Sequence, residues 1–409
     1  MKPRFISFKE SMEILEDSMK TLKLTEKIFT ADALGRVLAE DIVADKNSPE
    51  FETSAMDGYA IRYEDQKLKK LKIVDLVPAG KEAKREIQKG ECVKTFTGSL
   101  MCKGSDTLIP IENVEVKDGY IFIKEEVEKG FSVRPVGENF KKGEILIEKG
   151  SKISFAEIGV LASLNKVLVE VYKKPSVSII ATGSEILDLG EERENSSQIY
   201  SSNHYTLEAI SKMEGAEVIR VGCVGDNREL IKDKIAESLK RSDIVVTTGG
   251  VSVGDFDFVK DILKSMDVEY LIEGVVIKPG QHIKVVRAGE KYIFALPGFP
   301  YSSAVTFWLY VVPLIRKMQG LSGKLPKVLA TLKEDYKKRS KKEEFTAVNI
   351  SYENGEFFVD LQGKKSGSSA ILTNMLQNTA LMQIPQNEGD KKKGERVEVI
   401  LFDMEFLRR

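Results

Sequence analysis

The first 43 residues carry apolar positions at helical spacing. Ser7 and Glu10 open SFKESMEILEDSM and fit a capping box in front of a short helix. ADALGRVLAEDIV, residues 31–43, predicts a second helix, although Gly35 is unfavourable in a helix interior. Further along, SFAEIGVLASL predicts a short helix and VLVEVYKK a strand, and these two elements fill much of residues 146–174.

The pattern changes to short apolar runs between residues 45 and 145. Runs such as KIVDLVPAG, ECVKTFTG and GYIFIKEEV are punctuated by Gly, Pro and Asp. This spacing predicts an all-β segment of short strands and tight turns. Strand-like runs return from residue 323 to 409, with lysine-rich turns at KKRSKKEE and GDKKKGE. Because Glu and Asp are interleaved with these lysines, solvated loop tips are favoured over anion-binding patches.

Pro175 marks the start of an alternation of strands and helices that runs to about residue 322. Four strands are predicted in SVSIIATG, AEVIRVGCV, DIVVTTGG and YIFALPG. The intervening helices are predicted in NHYTLEAISKMEG, NRELIKDKIAESLKRS, FDFVKDILKSM and SSAVTFWLYVVPLIRKMQG. In the second of these helices one face is predicted to carry Leu230, Ile231, Ile235 and Leu239. Buried strands separated by helices predict an open parallel α/β sheet.

Composition narrows the functional classes. A chain of 409 residues is expected to form several domains, and 42% apolar with 31% charged residues is a globular composition. Lys and Arg total 62 against 63 for Asp and Glu, which argues against nucleic acid or an anionic membrane as the main partner. No apolar run approaches the roughly 20 residues of a membrane span, and no signal peptide is evident. Three cysteines without a CxxC pair predict reduced thiols in a cytoplasmic protein.

The chain has only two histidines, so chemistry is expected to rest on carboxylates, lysines, hydroxyls and backbone amides. TTGGVSVGDFDF, residues 247–258, shows a strand that ends in Gly249 and Gly250 and leads to a helix near Asp255 and Asp257. Backbone amides and a helix N-terminus in such a turn favour a phosphate. A turn in which Asp255 merely caps the helix is the alternative.

Three further turns follow the same logic. IIATGSEIL places Gly183, Ser184 and Glu185 at a strand end, where ligands of open α/β sheets bind. VGCVGDN supplies Asp226, with a helix N-cap as the alternative reading. GVVIKPGQHIKV supplies Lys278 at a Pro-Gly turn, either as an anion contact or as an exposed turn residue.

Carboxylates beside phosphate-binding turns repel the phosphate unless a hard divalent cation lies between them. With so few histidines, Mg²⁺ is the expected cation. The carboxylates in question are Asp57, Glu185, Asp226, Asp255 and Asp257. The residues therefore predict an enzyme that acts on a phosphorylated or nucleotide-bearing small molecule.

SAMDGYA, FTGS, GSDTLIP, VRPVGE, ATGSE, TTGGVSVGDFDF, IKPG and LPGFP occur here in the order of a known family. Over its whole length the chain resembles the molybdopterin molybdenumtransferases, the MoeA family, which is related to the gephyrin E domain. The resemblance implies a discontinuous N-terminal linking domain (1–44 and 146–174), an inserted β-rich lobe (45–145), an α/β molybdopterin-binding domain (175–322) and a C-terminal β-barrel (323–409). It also implies a homodimer in which the α/β domain of one subunit faces the β lobe of the other.

The implied reaction inserts molybdate into adenylylated molybdopterin, with Mg²⁺-dependent release of AMP. The family's catalytic positions fall on Asp57, Thr97, Glu185, Asp226, Asp257 and Lys278. Metal binding is expected at Glu185, Asp226 and Asp257. Substrate binding is expected at Gly183, Ser184, Gly249, Gly250, Ser252, Gly254, Pro297, Gly298, Pro300 and Ser368.

The chain departs from the family pattern at four positions. Asn139 replaces an acid, Gln281 a lysine, His282 a proline and Phe299 an asparagine, which leaves the preference for molybdate or tungstate open. Two alternatives to the transferase remain, namely the preceding adenylyl transfer from ATP to molybdopterin and a pterin-binding scaffold without turnover. The enzyme of that preceding step and molybdoenzyme maturation proteins are expected partners.

Overall fold

The computed structural model of the chain describes residues 4–251, 258–365 and 367–403. Four residues of the GGVSVGDFD turn that were singled out above lie outside the described residues, namely Ser252, Gly254, Asp255 and Asp257.

The N-terminal helix, Phe8–Ser18, begins where the sequence predicts. The Ser7 side chain accepts a hydrogen bond from the Glu10 amide, so Ser7 caps the helix. The Glu10 carboxylate pairs with Arg4 at 2.7 Å rather than completing a capping box. The buried face of the helix packs against the α/β domain, where the Ser11 hydroxyl lies 2.8 Å from the buried Tyr310 hydroxyl.

The helix predicted at residues 31–43 is wrong. This segment forms a short 3₁₀ turn at Thr30–Asp32, a turn at Gly35 with a φ of 77°, and the strand Ile42–Val43. Leu38 is fully buried and bridges to Val171. The apolar residues at helical spacing are therefore core residues of an extended segment, and Gly35 ends the turn because it tolerates a positive φ.

The linking domain is formed by strands from its two separate segments, which pair with each other. Strand Thr25–Phe29 pairs antiparallel with Leu168–Tyr172, and Ile42–Val43 pairs with Ile145–Ile147. The predicted helix is present at Phe155–Ser163 and begins with a complete capping box of Ser154 and Glu157.

The β lobe contains a six-stranded sheet, which confirms its predicted class. In spatial order the strands are Thr107–Pro110, Gly58–Ile61, Glu91–Thr95, Lys70–Val77, Tyr120–Ile123 and Val114–Lys117. A separate ladder joins Thr53–Ser54 to Val133–Arg134. Gly58 permits a close strand contact, since a Cβ at this position would lie 2.3 Å from the Ile109 carbonyl oxygen. Asp57 therefore stands at the very start of a tightly packed strand.

The sheet of the α/β domain is mixed rather than wholly parallel. Its spatial order is Glu217–Val224, Ser176–Thr182, Ile244–Thr248, Lys291–Leu296, Lys284–Ala288 and Glu269–Ile272. The first four strands are parallel, whereas Lys284–Ala288 runs antiparallel to both of its neighbours. Only two residues, Gly289 and Glu290, join Lys284–Ala288 to the next strand, and so short a link forms a hairpin instead of a crossover.

The helices of this domain follow the predicted order. They comprise Asn203–Met213, Arg228–Arg241, Phe258–Ser265 and one long helix of three consecutive segments, Pro300–Thr306, Phe307–Val311 and Val312–Met318. In Arg228–Arg241, Ile231 and Ile235 are buried, but Leu230 is exposed and does not belong to the predicted face. Within the described part of the chain no helix has the length and hydropathy needed to cross a membrane.

The C-terminal strands close into a five-stranded barrel, which confirms the implied fold. Glu343–Glu353 pairs with both Glu356–Asp360 and Thr379–Ile384, and Lys327–Leu332 and Arg396–Leu401 complete the ring. A short strand of the α/β domain, Ile277–Lys278, adds parallel to Glu343–Glu353 and places Lys278 opposite Glu344. The barrel is thereby attached to the segment that carries the predicted lysine. The boundaries given to the four domains remain predictions.

Candidate active site

A cavity of about 840 Å³ lies beyond the carboxyl ends of two neighbouring parallel strands, Ser176–Thr182 and Ile244–Thr248. The connection from Ser176–Thr182 leads to Glu217–Val224 at one edge of the sheet, whereas the connection from Ile244–Thr248 leads to Glu269–Ile272 at the other edge. This is the position at which open α/β sheets bind ligands. Lys342 and Ser369 of the C-terminal domain also line the cavity.

The predicted ATGSE turn, residues 181–185, lies in the cavity wall and is hydrogen-bonded to Asp226. The Ser184 amide donates to Asp226 Oδ2 at 3.0 Å, and the Asp226 amide donates to Ser184 Oγ at 2.8 Å. Asn227, not Asp226, caps the following helix by accepting from the Leu230 amide at 3.0 Å. The N-cap alternative for Asp226 is therefore wrong, and Asp226 is exposed in the wall of the cavity.

Glu185 folds back over the same turn. A Cβ on Gly183 would lie 2.6 Å from Glu185 Oε2, so only glycine leaves room for this carboxylate. Gly183, Glu185 and Asp226 all line the cavity. Ser184 does not line it but forms reciprocal hydrogen bonds with Asp226, which does. Two exposed carboxylates thus stand on adjacent strand ends of one cavity.

The predicted TTGG turn, residues 247–250, exposes glycine backbone to the cavity. Gly249 has a φ of 92°, and a Cβ there would lie 2.8 Å from the Thr182 carbonyl oxygen. A Cβ on Gly298 would lie 3.5 Å from Gly249 Cα, so the LPGFP turn packs closely against the TTGG turn. Gly249, Gly250 and Gly298 line the cavity and present bare backbone, which lets a phosphate approach closely.

The LPGFP turn fixes a third side of the cavity. Pro297 and Pro300 line it, and Pro300 occupies the first turn of the long helix as predicted. Asn203 donates its Nδ2 hydrogen to the Gly298 carbonyl at 2.7 Å and so links the turn to helix Asn203–Met213. Phe299, the departure from the family pattern, is largely exposed at the rim.

Two lysines lie at the side of the cavity nearest the barrel. Lys278 Nζ is 4.0 Å from Oε1 of the buried Glu344, and Lys342 Nζ donates to Gln281 Oε1. The Gln281 Nε2 atom lies 2.8 Å from His282 Nε2. Lys278, Gln281 and Lys342 all line the cavity, so a positive potential is concentrated at this side.

The lysine-rich KKRSKKEE turn was predicted to be a solvated loop tip, and for Lys342 this prediction is wrong. Its neighbour Glu343 pairs with Ile277 in the ladder that joins the barrel to the α/β domain, and this pairing carries Lys342 to the cavity. Ser368, a predicted substrate-binding residue, lines a smaller adjoining cavity of about 40 Å³ together with Lys278. Its neighbour Ser369 lines the main cavity.

Asp57 and Thr97, which come from distant parts of the β lobe, are brought into direct contact. The Thr97 amide and the Thr97 hydroxyl each donate to Asp57 Oδ1 at 2.8 Å. These bonds favour the ionised carboxylate and hold the pKa of Asp57 below its usual range, with a minor contribution from Lys94. Both residues are exposed, and neither lines the cavity in the same chain.

Asn139, which replaces the family's acid, is not part of the contact between Asp57 and Thr97. Its Nδ2 atom donates to Ser48 Oγ at 3.4 Å within the β lobe.

Among the described residues no cluster of three His, Cys, Asp or Glu side chains is arranged to hold a metal ion. Of the predicted metal ligands, Glu185 and Asp226 share the cavity, and Asp257 lies outside the described residues.

Sequence reasoning missed several residues of the cavity wall. Tyr200, Ser201 and Asn203 lie in QIYSSNH, a segment whose polar residues resemble an ordinary loop before a helix. Only the pairing of Ile199–Tyr200 with Ile186–Leu187 carries this segment to the strand end that holds Glu185. No local signal in the sequence indicates that pairing.

Family models cover nearly the whole chain. Residues 6–165 match the MoeA N-terminal region (domain I and II), residues 178–317 match a probable molybdopterin binding domain, and residues 330–402 match the MoeA C-terminal region (domain IV). These matches include the β lobe with Asp57, the cavity of the α/β domain and the barrel that carries Lys342.

Full-length relatives agree with the family models. The chain is 33% identical to the molybdopterin molybdenumtransferase of Nostoc sp. over 387 residues, which is 92% of this chain and 88% of the relative. It is 32% identical to the enzyme of the same name from Staphylococcus epidermidis, covering 97% and 96% of the two chains. A crystal structure of the molybdopterin biosynthesis MoeA protein from Pyrococcus horikoshii OT3 superimposes with a TM-score of 0.82 at 32% identity, covering 97% of this chain and 100% of that one.

Proposed function

The chain belongs to the MoeA family of molybdopterin molybdenumtransferases, enzymes of molybdenum cofactor biosynthesis, and from that premise we propose how its cavity carries out the transfer. The substrates are molybdate and adenylylated molybdopterin, and the products are AMP and the molybdenum cofactor. The observation that carries this proposal is the convergence of two glycine turns, two carboxylates and two lysines on one cavity.

The glycine turns are the proposed site of the phosphate groups of the adenylylated substrate. Gly183, Gly249 and Gly250 leave the backbone bare at the ends of two parallel strands. Phosphates bind at such turns because backbone amides approach them without steric hindrance. The neighbouring carboxylates of Glu185 and Asp226 then need a cation to offset their repulsion of the phosphates.

Mg²⁺ fits this donor set. It binds proteins through one or two carboxylates together with water and substrate phosphates, and Glu185 and Asp226 offer two hard oxygen donors in one cavity wall. When bound, the ion neutralises charge that develops on the phosphoanhydride oxygens as AMP leaves. The reciprocal bonds between Ser184 and Asp226 orient the Asp226 carboxylate before substrate arrives.

Lys278 and Lys342 are the proposed contacts of the molybdate oxyanion. Both line the cavity on the side nearest the barrel, and the described partner of Lys342 is the neutral amide of Gln281. A tetrahedral dianion there gains charge-assisted hydrogen bonds from the two ammonium groups. Replacement of the family's lysine by Gln281 is thus offset by a lysine that is held on the Gln281 amide.

We further propose that Asp57 completes the cavity of a second copy of the chain. Asp57 and Thr97 do not line the cavity of their own chain, yet Asp57 is held ionised and exposed. The linking domain carries exposed apolar side chains that would suit a subunit interface, including Phe29 opposite Leu168, and nearby Val167, Leu34 and Phe155. We place this homodimer in the cytoplasm, with the preceding adenylyltransferase and molybdoenzyme maturation proteins as transient partners.

The activity test loads the protein with adenylylated molybdopterin and measures AMP release with and without molybdate in Mg²⁺ buffer. Molybdate-dependent release is expected, and Asp226→Asn should reduce it strongly. Asp233→Asn, which removes an exposed carboxylate of helix Arg228–Arg241 that does not line the cavity, serves as the matched charge control. ATP consumption without molybdate dependence would instead identify the adenylyl transfer, and binding without any release would identify a scaffold.

The trans placement of Asp57 is tested with mixed dimers formed by co-expression of two inactive variants. Pairing Asp57→Ala with Asp226→Ala subunits should restore about a quarter of the sites under random two-fold pairing. Pairing Asp57→Ala with Thr97→Ala should restore none, because both changes lie in the same lobe. Recovery in neither mixture would place the action of Asp57 within its own chain.

A further inference from the structure

A buried histidine stands behind the cavity wall. The ring of His204 is fully buried, and its Nδ1 atom lies 2.8 Å from the hydroxyl oxygen of Ser201. Ser201 itself lines the cavity and retains 6% of its surface exposed. This hydroxyl therefore links the buried imidazole to a residue of the cavity wall.

The surroundings of the ring determine which nitrogen carries the proton. Nε2 lies 3.4 Å from Asp188 Oδ1, and the Tyr205 hydroxyl donates to that oxygen at 2.5 Å, which lowers the pKa of Asp188. Burial lowers the pKa of His204 despite the nearby carboxylate, so the ring is neutral at neutral pH. Nε2 is too poorly aligned with Asp188 for a hydrogen bond, but an ionised carboxylate at this distance attracts an N–H group and repels a nitrogen lone pair, so we place the proton on Nε2 and leave Nδ1 as the acceptor.

The direction of the Ser201 hydrogen bond follows from this tautomer. Ser201 donates its only hydroxyl hydrogen inward to Nδ1, and its oxygen keeps acceptor capacity alone. The Cys223 thiol is a second neighbour of the hydroxyl. Burial raises the pKa of this thiol to about 11, so it keeps its hydrogen at neutral pH and occupies at most one of the two lone pairs of the serine oxygen. The Ser201 oxygen thus keeps a lone pair that can accept a further hydrogen bond, and the hydroxyl has no hydrogen left to donate.

The surface beside this acceptor is largely aliphatic and aromatic and partly exposed, and the Arg193 guanidinium lies 5.3 Å from the centre of the Tyr200 ring. Ile199 is 49% exposed and Tyr200 is 44% exposed, and both line the cavity. The Ser201 amide donates to the Leu187 carbonyl at 2.8 Å, which fixes the segment against the strand end of Glu185. An exposed aliphatic and aromatic pair next to a fixed acceptor suits a planar ring that carries an N–H donor at its edge.

We propose that Ser201 accepts a hydrogen bond from the amino group of a fused nitrogen heterocycle that lies against Ile199 and Tyr200, and that His204 and Asp188 are positioning residues for Ser201. The proposal rests on the proposed function, since the adenylylated substrate carries two such heterocycles, adenine and pterin. The shared chemistry is an exocyclic amine on a fused ring, and the experiment distinguishes the two rings.

The experiment measures the binding of AMP and of 6-hydroxymethylpterin separately by titration calorimetry at pH 7.5. Ser201→Ala should weaken one of the two probes about five- to tenfold, the usual effect of losing one hydrogen bond. Ser211→Ala, which removes another buried serine hydroxyl from the following helix, should leave both affinities unchanged. Unchanged binding of both probes to a folded Ser201→Ala variant would overturn the proposal.

Two histidine variants separate positioning from folding. His204→Asn places an amide oxygen near the position of Nδ1 and should retain most of the affinity, whereas His204→Leu removes the acceptor and should resemble Ser201→Ala. Equal losses in both variants, with Ser201→Ala silent, would reduce His204 to a structural residue and contradict the positioning role.

The pH dependence supplies a readout that a merely structural role would not change. Once protonated, His204 donates from Nδ1 and reverses the Ser201 hydroxyl, so affinity should fall as the pH falls through the lowered pKa of His204. The charged and titratable groups around the ring are Asp188, Tyr205, Glu208, Arg220 and Cys223. His204→Asn should abolish this acid limb, and an unchanged limb in that variant would refute the assignment.

These outcomes are separate from a failure of the proposed function. Molybdate-dependent AMP release is measured on the same variants. A protein that binds a heterocycle through Ser201 but releases no AMP retains this inference and loses the transferase proposal. If the Ser201→Ala variant releases AMP with the wild-type KM and binds both probes with the wild-type affinity, the transferase proposal stands and this inference fails.

Discussion

Replacement of Gly280 by alanine tests whether the segment that carries Lys278 is held by a close contact with the long helix. Gly280 has a φ of 97°, and a Cβ there would lie 2.1 Å from Thr306 Cγ2. Gly289 has a φ of 64° but nothing within 4 Å of a Cβ, so Gly289→Ala reports the backbone strain alone.

The magnitude follows from two contributions. A non-glycine residue in the left-handed region costs about 1–2 kcal/mol, and both variants carry this cost. Overpacking adds about 1–3 kcal/mol for Gly280→Ala only. We therefore expect Gly280→Ala to lower the free energy of unfolding by about 2–5 kcal/mol and Gly289→Ala by about 1–2 kcal/mol.

A second substitution isolates the contact. Thr306→Ser removes the clashing methyl group and keeps the hydroxyl that donates to the Ser302 carbonyl at 2.8 Å. Alone it should cost about 1 kcal/mol of buried apolar contact, but in the Gly280→Ala background it should stabilise the protein. Such a reversal of sign is expected only if the two side chains collide.

Unfolding in urea is followed by the fluorescence of Trp308, the single tryptophan of the chain, which is buried in the core behind this contact. AMP release is measured in parallel, and Gly280→Ala should raise the KM for molybdate because it displaces Lys278 and Gln281. Equal destabilisation by Gly280→Ala and Gly289→Ala, or no rescue by Thr306→Ser, would refute the reasoning.

Three further predictions concern charge. Thr97→Val removes one of the two donors to Asp57, so the pKa of Asp57 should rise toward its usual range. A carboxylate with a lowered pKa stays ionised until the pH falls through that pKa, and the acid limb of AMP release should therefore move to higher pH in this variant. Arg316→Met breaks a largely buried ion pair with Glu214, formed at 2.6 and 3.0 Å, and should cost about 3–5 kcal/mol in urea unfolding, whereas an exposed pair is worth less than about 1 kcal/mol. Chelation with EDTA should abolish AMP release and Mg²⁺ should restore it, with Asp226→Asn requiring more Mg²⁺ for half-maximal rate; full activity in EDTA would contradict the metal proposal.

Much of the α/β domain was readable from the sequence. Its four parallel strands are continuous β-branched runs, and its turns concentrate glycine beside hydroxyls and acids, so these strands, the helices of the domain and the turns with Gly183 and Gly249 were predicted correctly. The strands Glu269–Ile272 and Lys284–Ala288 were not predicted. The antiparallel direction of Lys284–Ala288 was not predicted either, because strand direction depends on the connection to its neighbour and not on side-chain periodicity.

The error at residues 31–43 has a similar cause. Apolar spacing there reports which residues are buried, and an extended segment that crosses a small core can bury the same residues as a helix. Bridges of Val37 to Lys152 and Leu38 to Val171 decide between the two, and both join residues more than a hundred positions apart. Local propensity carries no information about such partners.

The sequence by itself determined the family, the parallel strands and helices of the α/β domain and the turns that form one side of the cavity, because these features depend on neighbouring residues. Only the tertiary structure decided that Thr97 holds Asp57, that Lys342 of a lysine-rich turn reaches the cavity, and that His204 stands behind Ser201. Each of these contacts depends on how separate strands and domains pack. A side chain's role is then set by the groups that packing places beside it, and those groups are distant in the chain or invisible to its local pattern.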